Sequence, residues 1–165
     1  MGSVIVFGAK YLILILLLIA IAAVFKQSKE NRMKILIFAV ITLPVAYIVA
    51  KIASLLYYDP RPFVVGPPAG GFTPLVAHIA DNGFPSDHTL LSSTAAAVIY
   101  YFDKKTGTVL FALALLVGIA RVLAGVHHVI DVAGSFMIAI AIPFFIYKLI
   151  LPLMLKSKIY QKVQK

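Results

Sequence analysis

The chain has 165 residues, 62% hydrophobic and only 13% charged, with a mean hydropathy of +1.01 and a formal net charge of +9. A soluble domain this small keeps too much surface in water to hide so much apolar side chain, so the composition speaks for a membrane protein. Cysteine is absent, which excludes disulfides and thiolate metal sites, and the basic residues flank apolar runs, which speaks against a nucleic-acid partner.

A spanning helix needs about 20 mostly apolar residues. Five such runs follow one another. The first extends from about Val4 to Phe25 with Lys10 as its one charge, snorkelling to the interface, and the second from about Lys34 to Tyr57. A loop from Tyr58 to Phe84 follows, with the run Gly66-Pro67-Pro68-Ala69-Gly70-Gly71 inside it. The third span runs from about Pro85 to Phe102, the fourth from about Thr108 to Gly125 and the fifth from about His128 to Leu151. The expected architecture is an all-α membrane bundle of five transmembrane helices. It forms one domain, 1–165, with a catalytic core over about 34–151.

Positive charge sets the orientation. Lys26, Lys29, Arg32 and Lys34 lie in the first connection, Lys104 and Lys105 in the third, and Lys156, Lys158, Lys162 and Lys165 in the tail. Five spans put all three clusters on one side, the cytoplasmic one. The long loop and the turn near Gly125 then share the other side. A competing reading takes Lys10, the apolar run and Ala20-Ile21-Ala22 as a cleavable signal peptide. Cleavage would leave the first basic cluster outside, against the charge rule.

All four histidines fall on the non-cytoplasmic side. Ionisable groups near bilayer depth usually face a protein interior or cavity, so this clustering marks a site. Phe84-Pro85-Ser86-Asp87-His88-Thr89 opens the third helix, with Ser86 a candidate N-cap. Such a helix start can bind an anion or simply be capped. In Arg121-Val-Leu-Ala-Gly-Val-His127-His128-Val-Ile-Asp131, His127 and Asp131 are four apart and share a helix face. A carboxylate there can hold one imidazole nitrogen as N–H and leave the other free to attack. His88 could protonate a leaving oxygen, and Lys51, Arg61 and Arg121 could hold a phosphoryl group. The bland alternatives are a buried Arg121–Asp131 ion pair and interfacial packing of His128. Zinc on His127, Asp131 and His88 is the other competitor, and the nearby cations oppose it.

These residues resemble the type-2 phosphatidic acid phosphatase superfamily, which includes vanadium haloperoxidases and glucose-6-phosphatase. Its three blocks read here as Lys51 with Arg61-Pro62, Pro85-Ser86-Asp87-His88, and Ala120-Arg121 followed by His127 and Asp131. The resemblance covers about Lys51 to Gly134. It implies that His127 is a nucleophile forming a phosphohistidine, that Asp131 orients it, and that His88 protonates the leaving group. It further implies that Lys51, Arg61, Ser86 and Arg121 bind the phosphoryl oxygens, with no metal and no cofactor.

Three departures stand out. Nine residues separate Lys51 from Arg61, where the family has six, and Ser54 holds the expected lysine place. Three residues turn a helix by about 300°, so Lys51 stays near the same face one turn deeper. Ala120 replaces a serine. Asp87 replaces a glycine in the phosphate-binding block and needs a cation beside it. Pro-Ser-Asp-His and Arg61-Pro62-Phe63 are similar to the undecaprenyl-diphosphatase branch. The expected function is hydrolysis of undecaprenyl diphosphate at the outer face of the cell membrane. The alternatives are a broader phosphatase of phosphatidate, phosphatidylglycerophosphate or a lipid A phosphate, and a small non-catalytic transporter.

Overall fold

A computed structural model describes residues 2–66 and 71–156. Pro67 to Gly70 of the Gly/Pro run, and Lys158, Lys162 and Lys165 of the tail, lie outside the described residues. Among the described residues the regular elements are all helices, with one isolated β-bridge between Pro60 and Asn82 and a long non-helical stretch over 71–86.

The first expected span is two helices, α1 (Gly2–Lys10) and α2 (Leu12–Phe25), bent by 43° at Tyr11. The bend lays α1 against the next-to-last long helix, where a side chain on Gly8 would come within 2.8 Å of the Ala120 Cβ. Helix α3 (Lys29–Leu56) starts where Ser28 accepts a hydrogen bond from the Asn31 N–H at 3.3 Å, with Glu30 in the favourable first turn. After a short α4 (Pro62–Val65) come α5 (Asp87–Tyr100), α6 (Lys104–Leu123) and α7 (Val129–Phe145). A π-helical stretch, Ile146–Ile150, carries α7 into α8 (Leu151–Leu155). Asp103 caps α6 by accepting from the Thr106 N–H at 3.0 Å.

Three helices, Lys29–Leu56, Lys104–Leu123 and Val129–Leu155, are long and apolar enough to cross a membrane, and the bent α1–α2 pair makes up to four. The third expected span is different in kind. Helix α5 has 14 residues, about 21 Å at 1.5 Å per residue, and buries nine of them within the bundle. Its face is small and hydroxylic. Ser92 and Ser93 donate to the carbonyls of His88 (2.8 Å) and Thr89 (2.6 Å), so these groups are satisfied without water. Helix α5 is shorter than the hydrocarbon core of a bilayer, and its first turn carries Asp87 and His88.

The main core lies at the far end of the bundle, where Leu16, Ile35, Phe38, Leu110 and Ile146 are buried. Phe38 packs edge-on against Tyr101 and Tyr147, which stack on each other at 4.2 Å. A smaller cluster of Ala9, Val76, Ala120, Ala124 and Val126 lies beside the site.

Helix α6 ends in a Schellman motif. The Val126 N–H donates to the Arg121 carbonyl (3.3 Å) and the Gly125 N–H to that of Val122 (2.9 Å), with Gly125 at φ +76°. That motif sets where His127 begins. A Cβ at Gly125 would also meet the Phe72 ring at 2.5 Å. Gly125→Ala is therefore expected to lose at least about 1–2 kcal/mol from the left-handed backbone alone. A thermal melt in detergent reads this directly, and an unchanged Tm contradicts it.

Candidate active site

The turn between α6 and α7 presents His127, which is 3% exposed. Its Nδ1 is 3.2 Å from Asp131 Oδ2, and Asp131 is fully buried. The same oxygen accepts the His128 backbone N–H at 2.8 Å, which fixes the carboxylate at the start of α7. With Nδ1–H donated to Asp131, Nε2 keeps its lone pair. It points toward Arg61, whose Nη1 is 3.3 Å away.

Burial first, then the charges of Arg61 and Arg121, push the His127 ring below the usual imidazole value of 6.5, against the opposing pull of Asp131. A neutral ring is the one with a free lone pair. Activity that needs it should therefore hold as pH falls through about 6.5 and decline only further down. A kcat/KM profile checks this, and an acid limb centred at or above that value contradicts it.

Arg61, 5% exposed, ties the long loop to the turn. Its Nε donates to Asp81 Oδ1 at 2.6 Å and its Nη1 to the Val126 carbonyl at 2.7 Å. Burial alone would raise the Asp81 carboxyl, but the hydrogen bond and charge of Arg61 outweigh it and hold it below its usual value. Asn82 organises the same loop. Its amide donates to the Ser54 carbonyl (2.8 Å), Ser54 Oγ (3.0 Å) and the Tyr57 carbonyl (3.0 Å), while its oxygen accepts from the N–H groups of Asp59 and Phe84. Ser54 therefore serves the loop anchor at the position where the family pattern has a lysine.

The start of α5 is strapped to α7. The Ser86 N–H donates to the Asp131 carbonyl (3.3 Å), and Ser135 Oγ donates to the carbonyls of Ser86 (2.9 Å) and Asp131 (2.8 Å). Ser86 is fully buried and its hydroxyl accepts from Thr89 at 3.1 Å, with Phe84–Pro85 in the cis form. His88, half-buried, has no hydrogen bond to its ring among the described residues and lies within electrostatic reach of Arg121, His127 and His78. The His78 ring stands edge-on to that of His127 at 6.1 Å. Lys51 Nζ sits 3.7 Å from Asp87 Oδ1 and over the Tyr47 ring at 4.9 Å. That supplies the cation Asp87 needs, in a half-exposed pair that adds little stability.

Arg121 is 2% exposed. Its Nη1 reaches the Ala9 carbonyl at 3.4 Å, and its Nε has no partner among the described residues. The Arg121–Asp131 ion pair considered from sequence is not formed among the described residues, so this guanidinium keeps donors free for an anion. His128 is not mere interfacial packing either. Its Nδ1 is 2.9 Å from Asp59 Oδ2. Among the described residues, the group whose ligand atoms gather closely enough to hold a metal ion, within 4.8 Å, is Asp59, His128 and Asp131, and not the His127, Asp131 and His88 set.

The sequence model of the PAP2 superfamily matches residues 33–154, three quarters of the chain. The chain belongs to the PAP2 superfamily. The matched segment contains Lys51, Arg61, Ser86, Asp87, His88, Arg121, His127 and Asp131. It is similar to the bacitracin transport permease protein BcrC of Bacillus licheniformis, at 35% identity over 147 residues, covering 89% of this chain and 70% of that one. It is also similar to undecaprenyl-diphosphatase BcrC of Bacillus subtilis, at 32% identity over 148 residues, covering 90% and 74%. Among solved structures it shares the fold of a PAP2-type phosphatidylglycerolphosphate phosphatase from Bacillus subtilis, with a TM-score of 0.60, 24% identity, and 89% and 75% coverage.

Within this PAP2 frame, the sequence placed His78 with the other histidines on the side of the site but gave it no role, and it gave none to Asp59, Asp81 or Asn82. Asp81-Asn82-Gly83 carries a turn signature, and an Asn that bonds backbone on both sides of a turn was the available signal. A partner for Arg61 twenty residues away carried none.

Proposed function

We propose that this PAP2-superfamily chain is a membrane lipid phosphatase that hydrolyses undecaprenyl diphosphate to undecaprenyl phosphate and phosphate through a phosphohistidine on His127. One observation carries the chemistry: a buried imidazole is held through Nδ1 by a buried carboxylate, while its Nε2 faces a buried arginine. Nε2 attacks the terminal phosphorus, the bond to the leaving oxygen breaks, and His88 gives that oxygen its proton. Water then attacks the phosphohistidine, His88 takes one of its protons, and inorganic phosphate leaves with His127 restored. Arg61 and Arg121 neutralise the charge of the transferring phosphoryl group, with the free Arg121 Nε as one donor. Ser86, Lys51 and Asp87 line the helix start, where Asp87 keeps Lys51 turned toward the mouth.

The diphosphate substrate is supported by the name of the Bacillus subtilis relative and by the Pro85-Ser86-Asp87-His88 block. The reading takes the chain as one domain with five crossings, α5 counted as the third, and needs no metal. The site faces away from the cytoplasm, because Lys26, Lys29, Arg32 and Lys34, then Lys104 and Lys105, then Lys156 lie at the opposite helix ends.

The test is phosphate release by the detergent-purified protein in EDTA from undecaprenyl diphosphate, phosphatidate and phosphatidylglycerophosphate in parallel. Preference for the diphosphate supports the proposal. Equal turnover of all three moves the function to general lipid dephosphorylation. The permease name of the Bacillus licheniformis relative favours a second reading, a transporter. Transport that survives His127→Ala, with no phosphate release from any substrate, would establish it.

A further inference from the structure

Beside Asp131 lies a second acid–histidine pair that the mechanism above does not use. Asp59 is mostly buried, at 14% exposure of its side chain, and its Oδ2 is 2.9 Å from His128 Nδ1. The ligand atoms of Asp59, His128 and Asp131 lie within 4.8 Å of one another, so the two carboxyl groups are close neighbours. Asp131 Oδ2 already accepts two N–H groups, from His127 and from the His128 backbone, but its other oxygen, Oδ1, is buried with no partner. Gly83 permits this crowding, because a Cβ there would stand 3.0 Å from Asp131 Oδ2 and 3.1 Å from the Asp59 carbonyl.

Two ionised carboxylates in such contact repel, and an orphaned buried oxygen is costly. One proton removes both difficulties. A neutral Asp59 carboxyl accepts the His128 Nδ1–H through one oxygen and donates through the other to Asp131. Burial, and then the charge of Asp131, favour this form by raising the Asp59 carboxyl above its usual value, with His128 pulling the other way. A metal ion is the competing occupant, but it would have to replace the existing His128–Asp59 hydrogen bond.

We propose that Asp59, presented as a neutral carboxyl and held by His128, is a positioning residue that hydrogen-bonds to Asp131 and so fixes the carboxylate that orients His127. It rests on the phosphohistidine reading above. It predicts a role for a residue that none of the three blocks names, acting only through Asp131, with no contact to substrate.

Asparagine is the isostere of a protonated aspartate, with one donor and one acceptor in the same places. The experiment compares Asp59→Asn, Asp59→Ala and His128→Ala with the parent protein, in EDTA, reading kcat and KM separately along with Tm. Asp59→Ala should lower kcat roughly tenfold, the effect of losing one hydrogen bond to a charged group, with KM unchanged. Asp59→Asn should restore kcat to within about threefold of the parent, on that same scale. His128→Ala should fall between them. If Asp59→Asn is as impaired as Asp59→Ala while its Tm matches the parent, the carboxyl works ionised and the proposal is overturned. Loss of parent activity in EDTA, regained with added zinc or manganese, overturns it as well, in favour of a metal at the trio. His127→Ala in the same series separates the two levels, since a fully active His127→Ala sinks the phosphohistidine reading itself.

Discussion

His127→Ala is expected to lower phosphate release by at least about 10⁴-fold, the loss seen when a nucleophile or its base is removed from a pre-built constellation. The side chain is 3% exposed and packed in a turn, so its removal leaves a small cavity and the arginines in place. Substrate binding should survive, because Arg61 and Arg121 reach the site from α4 and α6 independently of His127. The loss should therefore appear in kcat with KM nearly unchanged. A covalent intermediate gives a second, independent readout. Brief incubation with substrate labelled in the terminal phosphate, followed by an alkaline quench that preserves phosphohistidine, should leave label on the parent protein and none on the variant. Label that persists on His127→Ala means another nucleophile, and turnover within tenfold of the parent means none is needed at that position.

The sequence carried the site further than it carried the membrane topology, for physical reasons. His127 and Asp131 do meet, but not as two residues on one helix face: His127 lies in the turn before the His128 N-cap of α7, and Asp131 reaches back from the first turn of the helix to its ring. Gly125 closes α6 as expected, whereas the Ser28 and Asp103 caps start α3 at Lys29 and α6 at Lys104, ahead of the Lys34 and Thr108 expected from hydropathy. The third span was legible as a helix but not as a short one. Its serines and threonines read as tolerated polar residues in a crossing segment, whereas they mark a helix buried on most sides and only 14 residues long. The bend at Tyr11 had no proline or glycine pair to announce it. It follows from how α1 packs on α6, with Gly8 against Ala120 and the Ala9 carbonyl on Arg121. Ala120 had read as a lost hydroxyl, and in the structure it is also the small residue that admits α1. Asp59 with His128, and Asp81 with Arg61, are pairs 69 and 20 residues apart. No periodicity reports such contacts, since they depend on how the long loop folds back across the bundle.

Asp131→Asn is expected to cost roughly 10²- to 10³-fold in kcat, and the direction of each hydrogen bond says why. The His128 backbone N–H and the His127 Nδ1–H both donate to Oδ2, so an amide oxygen in that place keeps both bonds. The tautomer is then preserved and the geometry barely moves. What disappears is the negative charge opposite His127, at the moment when phosphorylation of Nε2 makes the ring cationic. In a buried site that charge is worth several kilocalories, on the order of 3–4 kcal/mol for a preorganised group of this kind. The amide NH₂ takes the place of Oδ1, which is buried without a partner among the described residues. KM should stay within about threefold, because Asp131 does not touch substrate and neither arginine pairs with it. Asp131→Ala separates charge from scaffold. It also removes the acceptor for the His128 N–H at the start of α7, so it should lower Tm by several degrees where the asparagine variant does not. If Asp131→Asn keeps kcat within tenfold of the parent, the carboxylate only orients the ring, and the stabilising charge must come from elsewhere.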